Sequence, residues 1–213
     1  VTAKLGTSAF LFAVVFGLVI GILSAVNRGK AADHILMTIA MLGMSAPAFW
    51  VAIILQIIFG LNLGLFPISG IELPHALFLP TIALGARYAA SISRLTRTNM
   101  LDAMNQDYIR TARAKGVKES LVVLKHGLKN ASIPIVTFWG LIIKSILGGS
   151  ILVETVFSIP GIGKLMIDAI MARDIPVIQG CTVYIAVIFV FANLIIDITY
   201  GLLDPRVRVS KGA

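Results

Sequence analysis

Long apolar stretches alternate with short polar ones along the whole of this chain. Residues 5–26 carry no charged side chain, and a helix of that length can cross a hydrocarbon core of roughly 30 Å. Four later stretches are similarly apolar and similarly long. The pattern therefore predicts five membrane-spanning helices. They are placed at residues 5–26, 35–59, 76–93, 131–153 and 175–203.

Two of the predicted spans and one of the loops contain features that predict further local structure. Pro47 interrupts the second span, and we interpret it as a plain kink in preference to a hinge or a bend that lines a pathway. The spacing Gly17-x-x-x-Gly21 either marks a helix-packing face or occurs by chance. Between the last two spans, residues 154–174 form a loop, with a short helix predicted at 164–173.

Composition supports a membrane protein. Of the 213 residues, 58% are hydrophobic and 13% are charged, whereas about 25% of a typical soluble domain is charged. The net charge of +8 would suggest nucleic acid in a soluble protein, but the basic residues of membrane proteins collect in cytoplasmic loops. We therefore predict an all-α, polytopic membrane helical bundle formed by one domain, residues 1–213. Lipid is an expected partner, and nucleic acid is not.

The distribution of lysine and arginine predicts the orientation. The polar segments 27–33, 94–130 and 204–213 contain 2, 8 and 3 basic residues, and the segments 60–75 and 154–174 contain 0 and 2. The positive-inside rule places the first group, and with it the C-terminus, in the cytoplasm. Five spans then leave Val1 outside, so we expect one further span before it.

Residues 107–134 are the most polar segment of the chain. Helical periodicity predicts two short helices, 103–115 and 119–128, and Gly116 between them suits a sharp turn with positive φ. Such a pair cannot cross the bilayer and must meet something at one membrane face. Its basic side chains could bind anionic lipid or another protein, and charge alone leaves both open.

The spacing Ala112-x-x-x-Gly116 in this segment resembles the cytoplasmic signature of ABC-importer permeases. Arg110 and Thr111 stand where the general signature has Glu and Ala, and Lys129 stands where it has Pro. The surrounding residues resemble the variant carried by the dipeptide, oligopeptide and nickel subfamily. That resemblance extends over essentially the whole chain. It is carried by segments 94–97, 107–116, 126–134, 154–163, 173–180 and 197–206.

The resemblance implies a permease subunit of an ATP-driven importer, with di- or oligopeptides as cargo and nickel or a metal chelate as the alternative. It implies that residues 99–130 couple the permease to a cytoplasmic ATPase subunit, which binds the ATP and Mg. It also implies a second, homologous permease subunit, an extracytoplasmic substrate-binding protein, and a bacterial or archaeal cytoplasmic (inner) membrane. The family has a further span before the position of Val1. The residues expected to dock on the ATPase are Tyr108, Arg110, Ala112, Arg113, Lys115 and Gly116.

Other classes of protein fit the chain less well. The nucleotide-binding pattern G-x-x-x-x-G-K-[ST] does not occur, so we expect no catalytic residue, no cofactor and no ATP site in this chain. An intramembrane protease would need paired aspartates, or Ser and His, at membrane depth, and the predicted spans hold a single aspartate, Asp197. A channel or scaffold that binds anionic lipid remains the alternative from another class.

Three charged residues lie within the predicted spans, namely Arg87, Lys144 and Asp197. Charges in a bilayer are costly, and they usually pair, reach the interface or face water. In one interpretation these three pair or snorkel. In the other, Arg87 and Lys144 line the substrate pathway and favour a carboxylate-bearing cargo over a metal cation. No metal site is expected, because the three histidines lie far apart in the predicted topology: His34, His75 and His126.

Overall fold

The computed structural model describes residues 1–73 and 75–203, apart from several side chains of the last two long helices, Lys144 and Asp197 among them. Within that part of the chain all regular structure is helical, which confirms the predicted all-α fold. The helices are α1 (Thr2–Val26), α2 (Ala31–Ser45), α3 (Ala48–Leu55), α4 (Phe78–Met104), α5 (Asp107–Ala114), α6 (Glu119–Leu121), α7 (Lys129–Val156), α8 (Ile162–Ala172) and α9 (Ile175–Leu203). Segments of π-helix extend α3 over Gln56–Asn62 and join α6 to α7 over Val122–Leu128. The predicted basic tail, residues 204–213, lies outside the described residues.

Helix is found in each of the five predicted spans, with an interruption in the second, but not every helix meets a strict criterion for a span. Among the described residues, α1 and the first part of α9, Ile175–Leu194, are long and apolar enough to cross a membrane unaided. α4 continues to Met104, well past the predicted end of the third span at residue 93. At 1.5 Å per residue it is about 40 Å long, so its polar end extends beyond a hydrocarbon core of roughly 30 Å.

The second predicted span differs most from expectation. α2 and the helical segment that begins with α3 meet at an angle of 106°, which is a break and not the plain kink that we predicted. Ala46 is extended (φ −83°, ψ 130°), as the residue before a proline usually is. Pro47 then caps the start of α3. Residues 31–62 therefore form a broken span or a re-entrant loop.

The core is organised around the contact between α1 and α4. A Cβ atom placed on Gly17 would lie 2.6 Å from Ile92 Cβ, and one on Gly21 would lie 2.6 Å from the Ser93 carbonyl oxygen. Both glycines therefore let the two helix backbones approach closely. The Gly17-x-x-x-Gly21 spacing is a packing face, as one of the two interpretations of the sequence held.

A buried glutamate connects α7 to α8. Glu154 lies on the last turns of α7 and is fully buried. Its Oε2 accepts hydrogen bonds from the backbone N–H groups of Gly163 (2.8 Å) and Lys164 (3.2 Å), and a negative charge at a helix N-terminus is favourable. A Cβ atom on Gly161 would overlap the Glu154 carboxylate. The glycines of this turn thus make room for the carboxylate, and α8 begins at Ile162, close to the predicted 164.

Candidate functional site

The polar finger, which we define as residues 105–128, is built differently from the predicted helix pair. Residues 103 and 104 belong to α4, and α5 begins at Asp107, after Gln106 adopts an extended conformation (φ −79°, ψ 154°). The second predicted helix, 119–128, is α6 with its π-helical segment, and it continues directly into α7. The finger is therefore one short helix folded against the extension of a long membrane helix. Helices are present on both sides of Gly116, as predicted, but the first begins at 107 and not at 103, and the second continues directly into α7, where a separate span beginning at 131 was predicted.

Gly116 terminates α5 in the manner predicted. Its φ is 73°, in the left-handed region that favours glycine. The Gly116 N–H donates to the Arg113 carbonyl (2.9 Å), and the Val117 N–H donates to the Ala112 carbonyl (3.2 Å). Together these bonds form a Schellman motif, which satisfies the last carbonyl groups of the helix. Ala112 and Gly116, four residues apart, thus both belong to the turn that ends α5: Ala112 supplies a carbonyl acceptor, and Gly116 supplies the positive φ.

Ala112 lies inside the finger. It is only 7% exposed and forms a small apolar cluster with Ile109 and Val122, against which Met104 and Val117 pack. The resemblance implied that Ala112 docks on the ATPase, but its side chain is occupied within this chain. Its small size instead lets α5 pack closely against the π-helical segment.

Arg113 also makes its contacts within the finger. Its Nε donates to Glu119 Oε2 (3.1 Å) and its Nη2 to Glu119 Oε1 (2.6 Å). These hydrogen bonds lower the pKa of Glu119 and raise the pKa of Arg113. We expected Arg113 to pair with acidic groups of a partner, whereas here it connects the end of α5 to the start of α6. Because both side chains are about half exposed, the pair adds little to the free energy of unfolding. Its main effect is to fix the end of α5 relative to the start of α6.

Three of the expected docking residues have side chains that are accessible and make no firm contact within the finger. Tyr108 is 38% exposed, the Arg110 side chain is 79% exposed, and Lys115 is exposed. Arg110 has a weak contact with Asp107 at 3.6 Å, a distance that leaves its guanidinium free to bind elsewhere. We call Tyr108, Arg110 and Lys115 the exposed docking residues.

A buried ion pair near the base of the finger was missed by the sequence analysis. Asp33 is 1% exposed and accepts two hydrogen bonds of 2.7 Å from Nε and Nη2 of Arg97. It also accepts from the Ser24 hydroxyl and the Gly29 N–H. This clasp holds the α1–α2 turn against α4. The only signal in the sequence was an acidic residue in an otherwise basic turn, Asn27 to Asp33.

Of the three charged residues in the predicted spans, the structure describes the side chain of Arg87. Arg87 is exposed on α4 and makes no ion pair with any side chain that the structure describes. Lys144 lies on α7 and Asp197 on α9, but their side chains lie outside the described part. Pairing among the three residues is therefore untested.

The family follows from a comparison with known proteins. A family model described as "Binding-protein-dependent transport system inner membrane component" matches residues 17–209. That range contains the polar finger, the clasp and Arg87. The chain belongs to this family, the permeases of ABC importers.

Curated relatives of this permease are transport subunits. It is 43% identical to the dipeptide transport system permease protein DppB of Bacillus subtilis, over 99% of this chain and 68% of that protein. It is 47% identical to the glutathione transport system permease protein GsiC of Pectobacterium atrosepticum, over 97% of this chain and 68% of that protein. The relatives are permeases and not enzymes, which weighs against the membrane-protease interpretation. They also favour transport over a lipid-binding scaffold.

Solved structures support the fold of the permease. It matches a chain of the inward-facing MetNI methionine ABC transporter with a TM-score of 0.76 and 18% identity, over 95% of this chain and 93% of that chain. A second match is an amino acid ABC transporter with histidines, with a TM-score of 0.67 and 18% identity over 96% and 90% of the two chains. The family description confirms an inner-membrane component. The cytoplasmic position of the C-terminus stays a prediction.

Proposed function

We propose that this permease carries di- or oligopeptides across the cytoplasmic membrane and is driven by a cytoplasmic ATPase subunit that docks on the polar finger. In this proposal residues 1–213 act as one transmembrane permease domain, and residues 99–130 couple it to the ATPase. ATP and Mg are bound by the ATPase, and a substrate-binding protein delivers the cargo on the other side. A second, homologous permease subunit completes the pathway, on which Arg87 and Lys144 lie.

The observation that carries the docking role is the construction of the finger. Three sets of contacts within the finger hold α5 in place: the Schellman turn, the apolar cluster around Ala112 and the Arg113–Glu119 pair. Tyr108, Arg110 and Lys115 are left accessible on this fixed support. Tyr and Arg are the residue types most often responsible for binding energy at protein interfaces, and a rigid surface loses little entropy when it binds.

The cargo is supported by two features. The relatives include permeases named for dipeptide and glutathione transport, and both of these molecules carry free carboxylates. The cationic Arg87 in the membrane region suits an anionic group and opposes a bare metal cation. Nickel remains the alternative cargo.

Docking is tested by co-purification with the ATPase subunit. The double variant Tyr108→Ala, Arg110→Glu should recover at least about tenfold less ATPase with the permease, because loss of an aromatic anchor and reversal of a charge each cost about 1–2 kcal/mol or more at an interface. Lys4→Glu is the matched control, since Lys4 is an exposed cation at the start of α1, on the predicted outer side. Equal recovery of ATPase in the double variant and the control would contradict the docking role.

The same experiment can separate docking from the fold of the finger. Proline at position 116 cannot adopt a φ of 73° and removes the N–H that bonds to Arg113, so Gly116→Pro should also lose the ATPase. Gly70→Pro is a close match, because Gly70 has a φ of 77° and its N–H donates to the Phe157 carbonyl at 2.9 Å. Gly70 belongs to the 60–75 loop, and its variant should retain the ATPase. If both variants lost it, general instability would explain the loss, and retention of the ATPase by Gly116→Pro would contradict the role of the finger.

The cargo is tested by uptake into proteoliposomes that contain the assembled importer with its binding protein. We expect ATP-dependent accumulation of radiolabelled dialanine, unaffected by an excess of nickel ions, because a cation does not compete for a site built around another cation. A variant with an inactivated ATPase subunit provides the background. Uptake of radiolabelled nickel without uptake of the peptide would contradict the proposed peptide cargo and show that nickel is transported instead.

A further inference from the structure

We propose that the cavity between α4 and α7 is a subsite for a carboxylate group of the cargo, with Arg87 as its charged partner. The inference rests on the proposed function, since the carboxylate belongs to the transported peptide. The cavity has a volume of about 240 Å³. It is lined by Arg87, Tyr88, Ser91, Phe138, Leu141, Ile142 and Ser145.

Two hydrogen-bond donors of this cavity are unused within the described part of the chain. Arg87 makes no ion pair there, and the Tyr88 hydroxyl makes no hydrogen bond to any described residue. The serines differ, because Ser91 Oγ donates to the Arg87 carbonyl (3.0 Å) and Ser145 Oγ donates to the Leu141 carbonyl (3.1 Å). The serine protons are thus bound within their own helices. The guanidinium and the phenol remain to receive an acceptor from outside the chain.

The depth of the cavity makes an unpartnered arginine significant. Arg87 is nine residues from the start of α4 at Phe78, or roughly 14 Å along the helix. Ser145 is eleven residues from the end of α7 at Val156, or roughly 16 Å. If the ends of the two helices at Phe78 and Val156 mark one edge of a hydrocarbon core of roughly 30 Å, both positions lie near its middle. An arginine there is costly against lipid and is found facing a protein interior or a watery pathway.

The chemistry of the lining selects the ligand. A guanidinium binds a carboxylate through two parallel charge-assisted hydrogen bonds, and a tyrosine hydroxyl can donate a third. Phe138, Leu141 and Ile142 supply an apolar wall beside these donors. Pockets for whole small molecules usually exceed about 300 Å³, so this cavity suits one end of a peptide, namely a terminal carboxylate with its neighbouring side chain. A metal cation would be repelled.

The test uses the assembled importer with its binding protein, reconstituted in proteoliposomes, and radiolabelled dialanine as the probe. Arg87→Gln should lower the turnover of dialanine uptake about tenfold or more, the effect of losing a hydrogen bond to a charged group of about 1.5–3 kcal/mol. Arg87→Lys should retain part of the activity because it keeps the charge. Arg94→Gln is the matched control, since Arg94 is exposed on the same helix and does not line the cavity. Stimulation of ATP hydrolysis by the loaded binding protein should be the same in all variants, which a merely structural role would not predict.

A second measurement compares dialanine with its C-terminal amide. The unaltered importer and the Arg87→Gln variant use the same binding protein, so its own preference cancels when their acid-to-amide uptake ratios are compared. We expect the ratio to fall in the Arg87→Gln variant and to stay unchanged in Arg94→Gln. Equal turnover and equal ratios for the two variants would overturn the carboxylate subsite while leaving peptide transport intact. If the unaltered importer took up no dipeptide, the proposed cargo would fail and this inference with it.

Discussion

Replacement of Arg97 with leucine is expected to destabilise the permease by about 3–5 kcal/mol, because it leaves a buried carboxylate without its counter-charge. Asp33 is 1% exposed, and two of its four hydrogen bonds come from the Arg97 guanidinium. The bonds from Ser24 and Gly29 remain but do not neutralise the charge. The α1–α2 turn would then separate from α4. The loss should appear as a lower midpoint for thermal disappearance of the monodisperse peak in size-exclusion chromatography.

Two further variants isolate the cause of that loss. Arg94→Leu removes an exposed arginine from the same helix, and it should leave the midpoint nearly unchanged. The double variant Asp33→Asn, Arg97→Leu removes the buried charge together with its partner and should recover more than half of the lost stability. An Arg97→Leu midpoint equal to that of Arg94→Leu would show that the clasp contributes nothing to the fold.

Gly21→Ala is the second substitution with a large expected effect, a destabilisation of about 1–3 kcal/mol from overpacking. The added Cβ would lie 2.5 Å from Thr96 Cβ and 2.6 Å from the Ser93 carbonyl oxygen. A backbone oxygen cannot rotate away as a side chain can. α1 and α4 would have to separate along the face on which they pack most closely, and the same chromatographic midpoint measures the result.

Gly180→Ala provides the control for the Gly21 substitution. Gly180 lies in α9, and a Cβ atom there has no described neighbour within 4 Å. Alanine is favoured over glycine in a helix by up to about 1 kcal/mol, so this variant should be as stable as the original or slightly more stable. If both alanine variants behaved alike, the close α1–α4 contact would not limit stability.

Local chemistry explains which parts of the fold could be predicted. Long apolar stretches predict helices because the backbone of a lipid-embedded segment must satisfy its own hydrogen bonds, and helix is found in all five, with a break at Pro47 in the second. Gly116 could be placed at a positive φ because few other residues tolerate that conformation. The proline at 47 marked a break, but the angle of 106° depends on how α2 and α3 pack on α4, which no local pattern contains.

The candidate site was predicted less well because its contacts join distant parts of the chain. The Asp33–Arg97 clasp joins residues 64 positions apart. The sequence around either residue does not indicate which residue will be its partner. Ala112 was predicted to dock on the ATPase, which would require its side chain to face outward. Its true neighbour, Val122, comes from the extension of α7, whose continuity the sequence did not reveal. Arg113 was assigned to a partner for the same reason, since Glu119 lies on that extension.

The continuity of residues 119–156 has a mechanical consequence. These residues form one continuous helical rod, roughly 55 Å long at 1.5 Å per residue, with a π-helical segment over Val122–Leu128 and Pro134 in its interior. The rod begins at the pair Arg113–Glu119 and reaches Glu154 near its other end. If the rod tilted by about 10° around its midpoint, each end would move by roughly 5 Å. Because Glu154 holds the first turn of α8, that displacement would pass directly to α8. A push on the finger would therefore be transmitted to the opposite membrane face, provided that the rod does not bend at Pro134.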